Sequence, residues 1–208
     1  MTLEGPEGAG KTVIAKRLVA ELERRGRVVR STREPGGTRL GERLRAILLE
    51  HGEVVSSADG GAGVDPRADA LLFNAARAQL VAEVIRPALD RGEMVLCARF
   101  ADSTLAYQGY GAGLPLAELR ALAAVATGGL APDLTILLDV PPEIGLGRKT
   151  GTSRNRFESA FDLAFHERVR AGFLALAGEE PGRFRVIDST RHIDAVTPEV
   201  IAAVLAIL

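Results

Sequence analysis

The chain has 208 residues, 47% of them hydrophobic, enough for one well-buried core or one domain with a mobile lobe. Its net charge of −1 excludes a global electrostatic pull toward nucleic acid, and its single cysteine, Cys97, excludes an internal disulfide. No signal peptide or membrane-spanning run is read, so a reducing cytoplasm is the expected compartment.

Met1–Glu4 reads as the end of a short strand, with almost no lead-in, so a true start further upstream is an open expectation. Directly after it come Gly5, Pro6, Glu7, Gly8, Ala9, Gly10, Lys11 and Thr12, the G-x-x-x-x-G-K-[ST] pattern. The glycines let backbone N–H groups curl around phosphate oxygens. Lys11 brings a point charge to the outer phosphates, and the Thr12 hydroxyl suits Mg²⁺. Val13–Arg25 reads as a helix, so the phosphates face a helix N-terminus, where the dipole favours anions.

Further along, Arg27–Ser31 reads as a strand and Arg39–His51 as an amphipathic helix. Residues 52–66 are rich in Gly, Ser and Asp and read as a loop. Arg67–Arg91 reads as one long helix that Pro87 kinks or ends. Met94–Ala98 is a short apolar run of the kind found in a fully buried parallel strand. Helix Pro115–Thr127 and buried strand Leu134–Asp139 follow. A helix opening at Pro142–Lys149 runs into a polar, basic stretch. Ser159–Ala177 is helical, Phe184–Ile187 a strand and Pro198–Leu208 the last helix. This alternation predicts a five-stranded parallel sheet with helices on both faces, and ligands at the carboxyl ends of the strands. The whole chain, residues 1–208, reads as one domain.

A phosphate loop alone fits a GTPase, a motor ATPase or a small-molecule kinase. No Asn-Lys-x-Asp sequence for reading guanine is present, which argues against the first. The stretch with Arg148, Lys149, Arg154 and Arg156 fits a lid, residues 148–158, that closes over a triphosphate and neutralises charge. A solvated surface loop is the plainer alternative.

Four segments make the resemblance specific: residues 4–12; Arg33-Glu34-Pro35-Gly36-Gly37-Thr38; residues 71–77, Leu-Leu-Phe-Asn-Ala-Ala-Arg; and residues 102–108, Asp-Ser-Thr-Leu-Ala-Tyr-Gln. Weaker echoes are residues 132–140 and Arg156-Phe157-Glu158. Across nearly its whole length the chain resembles the bacterial thymidylate kinases, a family of the P-loop nucleoside monophosphate kinase fold. The resemblance implies phosphate transfer from ATP to dTMP, giving dTDP, with Mg²⁺. It implies small-molecule substrates and a homodimer, which apolar helix around Ala70–Leu80 would permit.

Roles follow residue by residue. Phe73 would stack on thymine and Arg77 donate to a thymine carbonyl, one helical turn apart. Arg99 follows a buried strand and suits the acceptor phosphate. Ser103, Thr104 and Gln108 resemble the residues at the thymine edge. Tyr107 matches the ring under the sugar, and Glu7 the carboxylate on its 3′-hydroxyl. Glu34 belongs to the same deoxynucleotide site. The phosphate loop carries no arginine, so Arg154 and Arg156 place the chain in the lid-arginine type. Arg148 would flank the adenine.

Two positions depart from the pattern. Ala98-Arg99 stands where Asp-Arg is usual, and Asn155 replaces the aspartate before Arg156. The first loss removes the acid that organises Mg²⁺ in such enzymes. Asp102, Glu34 and Glu158 are candidate substitutes, whereas Asp139 reads as structural. Three readings therefore stand at this level. One is an active thymidylate kinase whose metal is held by Thr12, phosphates and water. Another is a catalytically impaired nucleotide-binding homologue, natural or an engineered Asp→Ala form. The third is a kinase for another deoxynucleoside monophosphate.

Overall fold

The computed structural model describes residues 1–49, 64–148, 157 and 161–208. Its strands are β1 (Thr2–Glu4), β2 (Val29–Arg33), β3 (Met94–Ala98), β4 (Thr135–Asp139) and β5 (Phe184–Asp188). All pair in parallel, in the order β2-β3-β1-β4-β5. The predicted α/β architecture is the one observed. From β1 the chain first crosses to β2 and β3 on one side, then to β4 and β5 on the other. The crevice where the order reverses opens at the carboxyl end of β1.

Register brings the chemistry to one row. Ala98 pairs with both Leu3 and Arg33. The next residue along each chain, Glu4, Arg99 and Glu34, therefore stands side by side with the others, and Gly5 follows one position on. In β4, Ile136 and Leu138 pack on one face of the sheet and Leu137 on the other. On the first face lie α1 (Lys11–Arg24) and α9 (Ile193–Leu205), joined through Ile14, Leu18, Val196 and Val200. The second is covered by α8 (Leu163–Glu179) and by residues 105–111, through Phe165, Val169 and Phe173. Both faces are covered, which is why β3 and β4 read as short apolar runs rather than alternating ones.

Several boundaries differ from the sequence reading, each for a physical reason. The predicted helix over 67–91 is three successive helical pieces: α3 (Pro66–Leu80), a π-helical stretch Val81–Ile85, and α4 (Arg86–Asp90). The Arg86 N–H reaches back five residues to the Val81 carbonyl. This widened turn carries the chain past Pro87, which has no N–H to give. The last helix begins at Ile193, not Pro198, because buried Val196, Val200 and Val204 recur every fourth residue and outweigh the proline. β2 lies two residues later than predicted. Between β3 and α6 (Leu116–Thr127) the sequence reading assigned no helix. The structure has α5 (Ala101–Thr104) running into a π-helical stretch, Leu105–Gly111. Its close packing requires glycine: a Cβ on Gly111 would lie 2.7 Å from the Phe165 ring. α2 (Arg39–Leu49) and α7 (Pro142–Gly147) complete the set. The predicted lid residues 149–156 and 158, and most of the predicted 52–66 loop, lie outside the described residues.

Candidate active site

The phosphate loop runs from the end of β1 to the start of α1. Gly5, Gly8 and Gly10 all have positive φ. Gly10 caps α1 in a left-handed conformation and no side chain among the described residues caps the first N–H groups of that helix, so they remain for an anion. The close approach is literal at Gly8, where a Cβ would sit 1.9 Å from the Gly145 carbonyl oxygen on α7. Lys11 Nζ donates to the Gly5 and Pro6 carbonyls at 2.8 and 2.7 Å, arching over the loop. Thr12 is exposed at the helix start. Arg148 donates to the carbonyls of Ser189 (2.7 Å), Thr190 (2.9 Å) and Gly8 (3.4 Å), on the outer flank of the loop.

Beside the loop lies a cleft of about 340 Å³. Its walls include Glu7, Glu34, Phe73, Arg77, Arg99, Ser103, Thr104, Tyr107 and Gln108, each assigned to the deoxynucleotide site from the sequence. Arg99 joins the loop to the cleft. Its Nη2 donates to Glu7 Oε1 at 2.6 Å and to the Tyr107 hydroxyl at 3.0 Å, while its Nη1 donates to Ser103 Oγ at 3.2 Å. Among the described residues Arg99 alone, glycines apart, has positive φ, 70°. A left-handed arginine costs about 1–3 kcal/mol. Burial alone would lower the Arg99 guanidinium, but Tyr107, Glu7 and Glu4 around it outweigh that and raise it, so it stays charged. Burial likewise pushes the Tyr107 hydroxyl up, against the pull of Arg99, so it stays a neutral donor.

Arg77 is deeper, 1% exposed. Its Nε donates to Glu34 Oε2 at 2.9 Å, its Nη1 to Asn74 Oδ1 at 2.7 Å, and its Nη2 to the Phe100 carbonyl and Thr104 Oγ1. Burial raises the Glu34 carboxyl and Arg77 opposes the rise. Glu34 Oε1 has no hydrogen-bond partner among the described residues. Phe73 packs on Phe157 with ring centroids 5.8 Å apart, and Tyr107 meets the same ring edge-on at 5.7 Å. Phe157 is the one described residue of the predicted lid beyond Arg148, and it lines the cleft. Arg154 and Arg156 lie outside the described residues.

The chain's departures from the usual pattern take physical form here. Ala98 lines the cleft and offers no acid. Asp102 is not its substitute: it does not line the cleft, and its carboxylate is held from both oxygens by Arg183, at 2.7 and 3.0 Å. Asp139 is structural, bound twice by Arg170 at 2.7 Å. Three residues of the site escaped the sequence reading. Arg33, paired with Glu42, and Arg45 line the cleft. Glu4, fully buried at the end of β1, accepts from the Phe100 N–H at 2.7 Å and from Ser103 Oγ at 2.6 Å. Only the basic character of the amphipathic α2 could have pointed to Arg45. The Glu4 position, one residue before a phosphate loop, was visible but read as strand.

A family model for thymidylate kinase matches residues 3–200. The chain belongs to the thymidylate kinase family. It is 53% identical over 205 residues to the thymidylate kinase of Deinococcus radiodurans, covering 98% of this chain and 95% of that protein. It is 52% identical over 210 residues to that of Solidesulfovibrio magneticus, covering 96% and 95%. Among solved structures, the thymidylate kinase from Ehrlichia chaffeensis superposes with a TM-score of 0.74 at 32% identity, covering 98% of this chain and 96% of that one. The protein is thus a nucleoside monophosphate kinase, with the sheet order and phosphate loop described above as its frame.

Proposed function

We propose that the chain transfers the γ-phosphoryl group of ATP to dTMP, giving dTDP. The observation that carries this reading is the junction of two sites: Arg99 is bonded to the phosphate-loop residue Glu7 and lines the same cleft as Phe73 and Arg77. The phosphate loop takes the triphosphate, with Lys11 on the outer phosphates and Arg148 toward the adenine. Phe73 stacks on the acceptor base, and Arg77 donates to its carbonyl. Gln108, whose amide makes no hydrogen bond within the described residues, completes the base edge together with Thr104. Tyr107 lies under the sugar and Glu7 takes its 3′-hydroxyl. Arg99 holds the acceptor phosphate for in-line attack. Arg154 and Arg156 neutralise the developing charge on closure. A coupled ADP-release assay across dTMP, dUMP, dGMP and dAMP, with and without Mg²⁺, tests the reading. dTMP should be preferred, and a purine preference would overturn it.

Among the described residues no three acidic, His or Cys side chains cluster to cage a metal. The donor chemistry nevertheless fits Mg²⁺: Thr12 presents a hydroxyl with no partner among the described residues at the phosphate-facing helix end. Thr12 would hold the ion with phosphate and water oxygens, and the ion would supply charge neutralisation at the transferring group. Ala98→Asp is expected to raise turnover and lower the Mg²⁺ concentration at half-maximal rate. A lower rate at every Mg²⁺ concentration would instead show that this chain has dispensed with that acid. Arg156→Ala should reduce turnover more than ATP affinity, because a cation that arrives on closure acts on developing charge. Equal losses would make it a simple anchor. We also propose a cytoplasmic homodimer. Leu71 on α3 and Val125 on α6 are 58% and 83% exposed on packed neighbouring helices, and they suit an apolar contact.

A further inference from the structure

Arg99, the proposed holder of the acceptor phosphate, is itself held by the end of β1. Its backbone is left-handed, a conformation that an arginine does not choose for itself. Two bonds fix the peptide on either side of it. The Arg99 N–H donates to the Leu3 carbonyl at 2.9 Å. The next N–H, that of Phe100, donates to Glu4 Oε1 at 2.7 Å. The other oxygen of the same carboxylate takes the Ser103 hydroxyl proton at 2.6 Å, and Ser103 Oγ in turn accepts from Arg99 Nη1. One buried carboxylate thus grips the Arg99 turn at its backbone and, through Ser103, at its guanidinium.

We propose that Glu4 is the positioning residue that sets Arg99 for the acceptor phosphate. The inference rests on the reading of Arg99 as the group that binds that phosphate. The direction of the hydrogen bonds matters. A carboxylate only accepts, so it turns the Ser103 proton toward itself and leaves the Ser103 lone pairs for Arg99. A neutral amide at position 4 that still accepts from Phe100 must present its NH₂ to Ser103, and the ordering of Ser103 toward Arg99 is lost.

The surroundings make this carboxylate costly. It is fully buried, and Asp102 on α5 adds a second negative charge, itself bound by Arg183. Cys97 on β3 is a buried neutral thiol nearby, its ionisation pushed well up by burial and by Glu34 and Glu4. Arg99 opposes the rise at Glu4 from the cationic side, as Arg77 and the N-terminal ammonium oppose that at Cys97. Burial and Asp102 together push the Glu4 carboxyl up to about 7, against Ser103, Arg99 and the Phe100 N–H. A group kept solely for stability would not be an acid in this place. A positioning acid pays in stability for geometry.

Glu4→Gln tests the proposal, since it keeps a Phe100 acceptor and the side-chain volume. dTMP affinity is measured by calorimetry without ATP or metal, and KM and kcat are measured for both substrates. The expected result is a roughly tenfold loss in dTMP affinity and in kcat/KM for dTMP, with KM for ATP within about twofold. Tm at pH 8 should be equal to or above that of the unsubstituted protein. In an Arg99→Ala background Glu4→Gln should add nothing further to the dTMP loss. If Arg99→Ala weakens dTMP binding but Glu4→Gln leaves it unchanged, or weakens ATP equally, the inference about Glu4 is overturned alone. If Arg99→Ala itself leaves dTMP binding unchanged, the reading of Arg99 falls and the inference falls with it.

Discussion

Lys11→Ala is expected to lower turnover by roughly a thousandfold or more, about 4 kcal/mol of transition-state stabilisation. In the structure its ammonium is spent on two loop carbonyls, Gly5 and Pro6. Bound phosphate oxygens carry far more negative charge than those carbonyls, so the ammonium has a reason to turn to them. As charge develops on the transferring group, that attraction strengthens more than the ground-state contact does. ATP affinity should therefore fall much less than turnover. Thermal stability should change little, because Lys11 lies half-buried at the mouth of the loop. Single-turnover rates with calorimetric ATP titration make the comparison. Turnover close to that of the unsubstituted protein would overturn the kinase assignment of this loop.

Arg77→Ala is expected to do two things at once. It should raise KM for dTMP and leave that for ATP nearly unchanged, the loss of a charged donor being worth about 1.5–3 kcal/mol. It should also destabilise the fold, by about 3–5 kcal/mol, since it breaks a pair whose side chains are 1% and 3% exposed. Glu34 would be left with neither oxygen paired to Arg77, and Asn74, Thr104 and the Phe100 carbonyl would each lose a donor. The pH dependence has a definite sign. Burial already raises the Glu34 carboxyl, and Arg77 is what lowers it. Without Arg77 the folded-state pKa rises further above the unfolded value. The variant's deficit should then be smallest near pH 5, where the carboxyl can take a proton, and grow as pH rises toward 8. Tm against pH, for both forms, checks this. A deficit independent of pH would mean that the lost packing, not the stranded carboxylate, dominates.

The same linkage applies to Glu4, with an outcome opposite in sign. Its carboxyl is raised from 4.5 to about 7, so ionisation costs stability progressively above pH 4.5 and fully above about pH 7. Glu4→Gln should relieve on the order of 3 kcal/mol at most at pH 8 and nothing below pH 4.5.

What the sequence disclosed follows from where the signals lie. The phosphate loop is contiguous, so Gly5 to Thr12 could be read outright. Strands β3 and β4 are buried on both faces and stand out as apolar runs. The cleft residues Phe73, Arg77, Arg99 and Tyr107 came from the family resemblance, and the fold brings them to one cleft. What stayed hidden depends on contacts across distant segments. Glu4 and Phe100 are 96 positions apart, and their bond exists only because β1 pairs with β3. Arg45 reaches the cleft from a helix whose polar face looks merely solvated. The helix Ala101–Gly111 was missed because its glycines and aromatics mimic a loop. They are in fact the small and flat groups needed to pack against α8. Asp102 could be taken for a metal ligand until Arg183, from the far end of the chain, was seen to claim it.

The face-to-face approach of Gly8 and Gly145 carries a consequence for how this protein can drift. A methyl group at 145 would lie 2.2 Å from the Glu7 carbonyl oxygen. Position 145 touches no substrate in the proposed reaction, yet any side chain there pushes on the loop that carries Glu7 and, through it, on Arg99. Tolerance to mutation should accordingly be as low at this short helix as in the cleft itself. In a library of single substitutions scored for growth, Gly145 should rank with Lys11 and Arg99, although nothing in its chemistry would suggest it.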